Sequence, residues 1–297
     1  MTALSFRAKI LLAMMALVIA VTITMLVITD NQVRTSYERH FQRTFEFQLD
    51  FFLQQREARL TPIRQRLADV AASPRLIAAM ENVNQPGADP QDIDDLYQNG
   101  LDQLTSAVST FPAGRTDFQA GLFFFFLDSS GKVLFPRETV KLPFTLPNSQ
   151  WIASQATGIG PSVLGAGRQQ IGYLKPQSNA DNRALEMVCT PVIDPVSGQK
   201  LGVLAVGFPL PETRRTGAKS STAEGSLLSG LWLGNHLYSS SIPAEFDSRL
   251  SDDINGKLKP DVSAQHFVAL LGKVPHQVYC QTLVTGAGFP QAYQICL

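Results

Sequence analysis

The sequence predicts an α+β chain, with a long helical N-terminal part followed by two successive antiparallel-sheet units. Three observations carry this. The first is an unbroken apolar run from Ile10 to Thr29, ILLAMMALVIAVTITMLVIT. The second is the recurrence of apolar residues at steps of three and four between Tyr37 and Val70, the spacing of one helix face. The third is a change, from Gly121 onward, to short apolar runs separated by turn-forming residues, which is the pattern of strands. The 297 residues suffice for two ordinary domains. Lys and Arg number 25 and so do Asp and Glu, giving a formal net charge of zero. No broad cationic field exists to draw in nucleic acid.

The run from Ile10 to Thr29 has the length an α-helix needs to cross a hydrocarbon core of about 30 Å. It exceeds a secretory h-region, and no small-x-small cleavage site follows it, so an uncleaved transmembrane helix is expected. Arg7 and Lys9 on the short side keep residues 1–9 in the cytoplasm. The rest is then extracytoplasmic, which in a bacterium is the periplasm. Beyond Asp30 the amphipathic pattern reads either as a stalk continuous with the membrane helix, packing on its own domain and on a second copy, or as an ordinary helix lying on a core. Thr61-Pro62 either caps a new helix or kinks this one. Ser73-Pro74 opens a short helix through Met80, and Asp89-Pro90 opens another through about Val108.

GLFFFFLD, the turn SSGK and then VLFP read as a β-hairpin. Four consecutive phenylalanines on an open edge would invite aggregation, so that strand is expected to be central and covered. Residues 143–172, rich in Pro, Gly, Ser and Gln, read as a loop-rich crossover with Trp151 in a short helix. QIGYLKP, RALEMVCTPVID and QKLGVLAVGFPL are three more strands. PETRRTGAKSSTAEGS lacks periodicity and reads as a linker. SLLSGLWLG, a turn at Asn235-His236, LYSSSIP, the helical EFDSRLSDDINGKL and the strands HFVALLG, QVYCQTLV and QAYQICL follow. Strand, turn, strand, helix and three antiparallel strands is a PAS-like order, and the first unit repeats it.

The expected organisation is therefore a tail over 1–9, a transmembrane helix over 10–29 and a helical stalk and preface over 30–118. A membrane-distal PAS-like unit covers 119–211, a linker 212–225 and a membrane-proximal PAS-like unit 226–297. Cys189, Cys280 and Cys296 cannot all pair within one chain. Cys280 and Cys296 either face each other across a hairpin or serve as small core hydrophobes.

This arrangement resembles the double Cache family of extracytoplasmic sensor domains, found N-terminal in membrane-bound nucleotide cyclases, histidine kinases and chemoreceptors. TPVIDPVSGQKLGVLAVGFPL, Thr190–Leu210, is similar to that family's hairpin of a strand ending in Pro-Val/Ile, a Gly-containing turn and a Gly-Val-rich strand. GLFFFFLDSSGKVLFP resembles the first hairpin of the same sheet. The resemblance spans residues 31–297 and implies that a small molecule binds between the membrane-distal sheet and its crossover and shifts the stalk helix. In amino-acid-binding members, a Tyr/Arg/Trp group grips the carboxylate and an aspartate pairs with the amine. Here the aligned aspartate position is Gly207, and no Arg-x-Trp-Tyr run exists.

Trp151, Arg168 and Tyr173 lie in the crossover and its first strand, and are the candidate ligand-binding residues, each weighed against a plain core or solvated role. Arg168 suits a carboxylate or other anion by its fixed fork of donors. No nucleophile elbow, phosphate loop, zinc-protease or dinucleotide fingerprint appears, so no catalytic residue is assigned. His40, His236, His266 and His276 are scattered without ligand spacing, so neither a metal nor another cofactor is expected. Asp252-Asp253 and Asp92 with Asp94-Asp95 read as solvated pairs. The functional expectation is the ligand-sensing region of a membrane-anchored receptor. Its partners are a small molecule and a second copy through the stalk, and a second transmembrane helix with a cytoplasmic output domain, enzymatic or not, is expected beyond Leu297. The alternative is a complete anchored binding or assembly protein. If Arg168 anchors the ligand, Arg168→Ala abolishes binding and leaves the melting temperature unchanged; calorimetric titration showing wild-type affinity would sink that assignment.

Overall fold

The computed structural model describes residues 6–109, 123–138, 140–142, 148–176, 184–210, 228–239, 242, 244–259, 262–271 and 274–297. The chain divides into two compact bodies, Met1–Glu57 and Ala58–Leu297; the second body holds both sheet units, the first unit around the earlier sheet and the second around the later one.

The first helix, α1, is Phe6–Ala71, with Pro62 inside it; no break falls at Thr61. Within Met1–Glu57, the described side chains from Met14 to Ile28 expose a run of large apolar groups, among them Met14, Leu17, Val18, Val21, Met25 and Leu26. Of the apolar run, the side chains of Ile10, Leu11, Leu12, Ala13 and Ala16 lie outside the described residues. Among the described residues no helix is long and apolar enough to cross a membrane.

Ala58–Leu297 begins with the last turns of α1, whose Leu60, Ile63, Leu67 and Val70 are buried. Helix α2, Pro74–Val83, starts where Ser73 caps it, its hydroxyl accepting from Leu76 N. Helix α3 is Pro90–Ser109. Strands β1 (Phe123–Leu127) and β2 (Val133–Leu134) form the expected hairpin. Helix α4, Ser149–Ala166, follows, then β3 (Gln170–Leu174), β4 (Leu185–Ile193) and β5 (Lys200–Pro209). These strands make one antiparallel sheet in the order β2-β1-β5-β4-β3. Every residue of β1 is buried, as four adjacent phenylalanines require.

The second sheet repeats that order with β6 (Ser229–Leu233), β7 (His236–Tyr238), β8 (Ala264–Leu271), β9 (Val274–Leu283) and β10 (Ala292–Cys296), as β7-β6-β10-β9-β8. Both sheets thus place their first and last strands side by side at the centre, the order expected of PAS-like units. The β6–β7 turn is Gly234-Asn235, both left-handed, and His236 belongs to the strand. Helix α5, Ala244–Lys257, closes the second core with Leu250 and Ile254 against Trp232, Val278, Tyr293 and Ile295. The expected linker, 212–225, lies wholly outside the described residues.

Two readings of the sequence change. The crossover is not loop-rich around a short helix; α4 is 18 residues long despite Gly158, Gly160 and Pro161. Asp94 is not solvated but buried, its Oδ1 accepting from Arg137 N at 2.9 Å and its Oδ2 from Arg137 Nε at 2.5 Å. Cys189, Cys280 and Cys296 are all free and buried. Cys280 stands opposite Ile295, and Cys296 opposite Tyr279. Adjacent residues of β10 point to opposite faces, so the two thiols do not meet. Burial pushes Cys280 up to about 12 and Cys296 up to about 11. Both start from 9.0, so the stability gained by keeping them protonated is full below pH 9 and lost as pH rises through these values.

Polar ties fix the helices on the first sheet. Asn84, at the end of α2, donates through Nδ2 to Leu201 O at 2.8 Å, and its Oδ1 accepts from Ser129 N at 3.3 Å. Tyr97 of α3 packs on Phe124 and Phe126 and donates its hydroxyl to Leu134 O at 2.8 Å. Glu186 of β4 is fully buried and pairs with Arg59 of α1, whose guanidinium lies 5.4 Å from the Phe208 ring. Removing one partner of a buried pair strands the other charge. Arg59→Ala is therefore expected to cost about 3 kcal/mol in urea unfolding, and Arg59→Met with Glu186→Leu to recover most of it; equal losses in both variants would refute the pairing's role.

Candidate ligand-binding site

Alternate residues of each strand point to opposite faces, so the first sheet presents two distinct surfaces. One faces α4. Phe123, Gly207, Met187 and Gly172 form one cross-strand row on it, and Phe125, Ala205, Cys189 and Gln170 the next. Trp151, near the start of α4, meets Phe123 edge to face with ring centroids 6.3 Å apart, and Phe123 stacks on Phe125 at 6.5 Å. Ile152, Ala156, Ile159 and Val163 of α4 are buried. Gln170 is the buried polar side chain of these rows; its Nε2 donates to Ser162 O at 3.1 Å. Burial drives the Cys189 thiol far above its ordinary range, so it is an inert packing group at neutral pH.

The opposite face meets the helices. Tyr173, Glu186 and Phe208 form its corresponding row, with Arg59 over it. One turn further along α1, Arg64 Nε donates to Gln169 Oε1 at 3.1 Å, while Gln169 Nε2 donates to Arg64 O and to Thr190 Oγ1. A sheet one residue thick thus separates an aromatic layer under α4 from a charged and amide-bonded seam under α1.

The structure separates the three residues singled out from sequence. Trp151 is half-buried on the α4 face. Arg168 is exposed, just after the left-handed Gly167 that ends α4. Tyr173 is fully buried on the helix face, opposite Glu186. Trp151 and Tyr173 therefore do not line one pocket. Sequence reasoning missed Phe123, Phe125 and Met187 as the floor beneath α4, although period-two alternation through FFFFL would have sorted them by face. It missed Arg59 and Glu186 too; the available signal was a lone glutamate inside the apolar RALEMVC.

Gly207, the position at which the resemblance implies an aspartate in amino-acid-binding members, lies in the centre of the Phe123 row. Here the Phe123 ring fills the place a Cβ at Gly207 would take. The absence of a side chain is a packing requirement of this sheet.

No protein-family model matches the chain, and no curated protein matches its sequence. Solved structures similar to it are sensor and ligand-binding domains. The sensor domain of the Vibrio cholerae histidine kinase DctB has a TM-score of 0.48 at 15% identity, covering 88% of this chain and 98% of its own. The ligand-binding domain of the Pseudomonas aeruginosa PAO1 amino acid chemoreceptor PctC, in complex with GABA, has a TM-score of 0.38 at 14% identity, covering 78% and 89%. The periplasmic sensory domain of the Campylobacter jejuni chemoreceptor Tlp1 has a TM-score of 0.38 at 11% identity, covering 82% and 90%.

Gly207→Asp would force a carboxylate into the Phe123 ring. The expected result is a loss of about 3 kcal/mol or more in thermal unfolding, with no stabilisation by amino acids; a variant as stable as wild type would show that the Phe123 layer yields.

Proposed function

We propose that this chain is the extracytoplasmic ligand-sensing region of a membrane-anchored signalling receptor. The observation that carries the reading is the position of the first sheet, held between α4 on one face and the end of α1 on the other. A molecule that displaces α4 acts on a closely packed sheet, and close-packed interiors transmit strain rather than absorb it. The Arg59–Glu186 pair and the Arg64–Gln169 bonds join that sheet to the helix that leads back toward the N-terminus. A ligand would favour one of two arrangements of α1 and the sheet by its differential affinity for them.

The ligand is a small molecule bound on the α4 side, with Trp151 contacting it and Arg168 at the rim; Tyr173 belongs to the side that reads the change. The aromatic and aliphatic floor under Trp151 suits a ligand with a substantial apolar part, and the Gly207–Phe123 packing argues against the amine grip of an α-amino acid. The anchor is the apolar segment 10–29, supported by its length, its lack of charge and the exposed apolar side chains from Met14 to Ile28. The N-terminus then faces the cytoplasm and the two sheet units lie outside. A second copy pairs along α1, supported by Val33, Phe47 and Phe51, large exposed apolar groups on one side of the helix.

Thermal unfolding of the full chain in detergent, against organic acids, amines, sugars and nucleosides, tests the reading. A true ligand at about 100 times its Kd stabilises by about 2.7 kcal/mol, and Trp151→Ala should abolish that gain. If no compound shifts the transition, the sensing of a small molecule is lost and an anchored binding or assembly protein becomes the better reading. Sedimentation of the same samples measures the pairing, which a monomer mass excludes.

A further inference from the structure

Helix α4 carries Gly158, Gly160 and Pro161 within one turn, residues that weaken an isolated helix relative to alanine. Contacts on two sides account for the glycines. At Gly160 a Cβ would come within 2.9 Å of the Cα and O atoms of Gly131, in the β1–β2 turn. At Gly158 a Cβ would lie 3.2 Å from the carbonyl oxygen of Gly288, in the β9–β10 turn of the second sheet. Backbone therefore lies on backbone where α4 meets the second unit.

The same β9–β10 turn grips β3. Gly286 N donates to Ile171 O at 2.7 Å. A Cβ on Gly288 would stand 2.9 Å from Ser162 Oγ of α4. The ring of Phe289 fills the space over Gly172 that a side chain would otherwise take, and Phe289 is buried in the core of the first unit rather than the second. Gly172 is one end of the cross-strand row whose other end is Phe123, beneath Trp151. An aromatic ring of the second unit thus completes the floor of the α4 layer. Directly after Pro290 and Gln291 the chain enters β10, the central strand of the second sheet, where Tyr293 stands opposite Trp232.

We propose that the β9–β10 turn, Gly286–Phe289, is a mechanical relay that passes a displacement of α4 to the central strand of the second sheet. The proposal rests on the reading of the α4 face as the ligand side, but the coupling itself needs no ligand to be measured. Gly288 touches α4 and Phe289 touches β3 while the chain continues covalently into β10, so a shift of α4 at Gly158 bears directly on that turn.

The test is a cycle on the full chain in detergent, read by hydrogen–deuterium exchange of the peptide covering 292–296. Ala156→Leu adds bulk beneath α4 at a buried position facing the sheet, and Phe289→Ala removes the ring that grips β3. With Phe289 present, Ala156→Leu is expected to speed exchange in β10 by about three- to tenfold; in the Phe289→Ala background that increment disappears. An equal increment in both backgrounds, or none in either, overturns the relay. Trp151→Ala replaces Ala156→Leu should the latter not fold, and Trp232 emission in a Trp151→Phe background reads the same cycle independently. A ligand screen that stays silent while the cycle holds sinks the sensing reading alone, and a failed cycle beside a clear ligand shift sinks the relay alone.

Discussion

Because the first sheet is covered on both faces, each polar group on it must find its partner inside the protein, and that constraint organises much of what surrounds it. A fully buried carboxylate at Glu186 obliges a cation to approach, and Arg59 of α1 supplies it. The requirement fixes the rotation of the end of α1 about its axis, since Arg59 and Arg64 must both face the sheet while Leu60, Ile63 and Leu67 enter the core. A desolvated ion pair adds little net stability over an apolar replacement, yet breaking it is costly. Its consequence is therefore a defined seating of the helix more than a deeper energy minimum.

The opposite face meets the same demand by excluding polar groups almost entirely. Phe123, Phe125, Met187 and the α4 residues form a layer of aromatic and aliphatic contacts, and the two glycines of the first row, Gly172 and Gly207, leave room for rings supplied from elsewhere. One ring comes from the neighbouring strand and the other from the second unit. Such interdigitation leaves few voids, and close-packed interiors respond to added volume by moving whole elements. With charge and amide bonds on one side of the sheet and apolar packing on the other, change on the proposed reading enters at α4 and leaves through α1 or the β9–β10 turn.

The strands were legible because their signal is local: alternating or continuous apolar runs bounded by Gly, Asn, Asp and Ser. The FFFFL run declared its own centrality, since exposing it would cost more than a chain tolerates. The length of α4 was not legible. Gly158, Gly160 and Pro161 are helix-weakening residues by intrinsic propensity, and only the backbone approach of Gly131 and Gly288 accounts for the glycines in a helix. Asp94 looked solvated because its partner, Arg137, is 43 residues away. Of the candidate site residues, Trp151 lies on the α4 face, whereas alternation along β3 sends Tyr173 to the other face.

By itself the sequence determined the α+β class, the order of nearly all elements, the two repeated sheet units and the apolar character of residues 10–29, because each depends on composition or on periodicity within a few residues. The tertiary structure alone decided which side of the first sheet each residue serves, that Cys280 and Cys296 point apart, that Glu186 is paired across to α1, and that Phe289 belongs to the core of the first unit. These facts depend on pairing register and on contacts between segments far apart in the chain, and no local pattern encodes either.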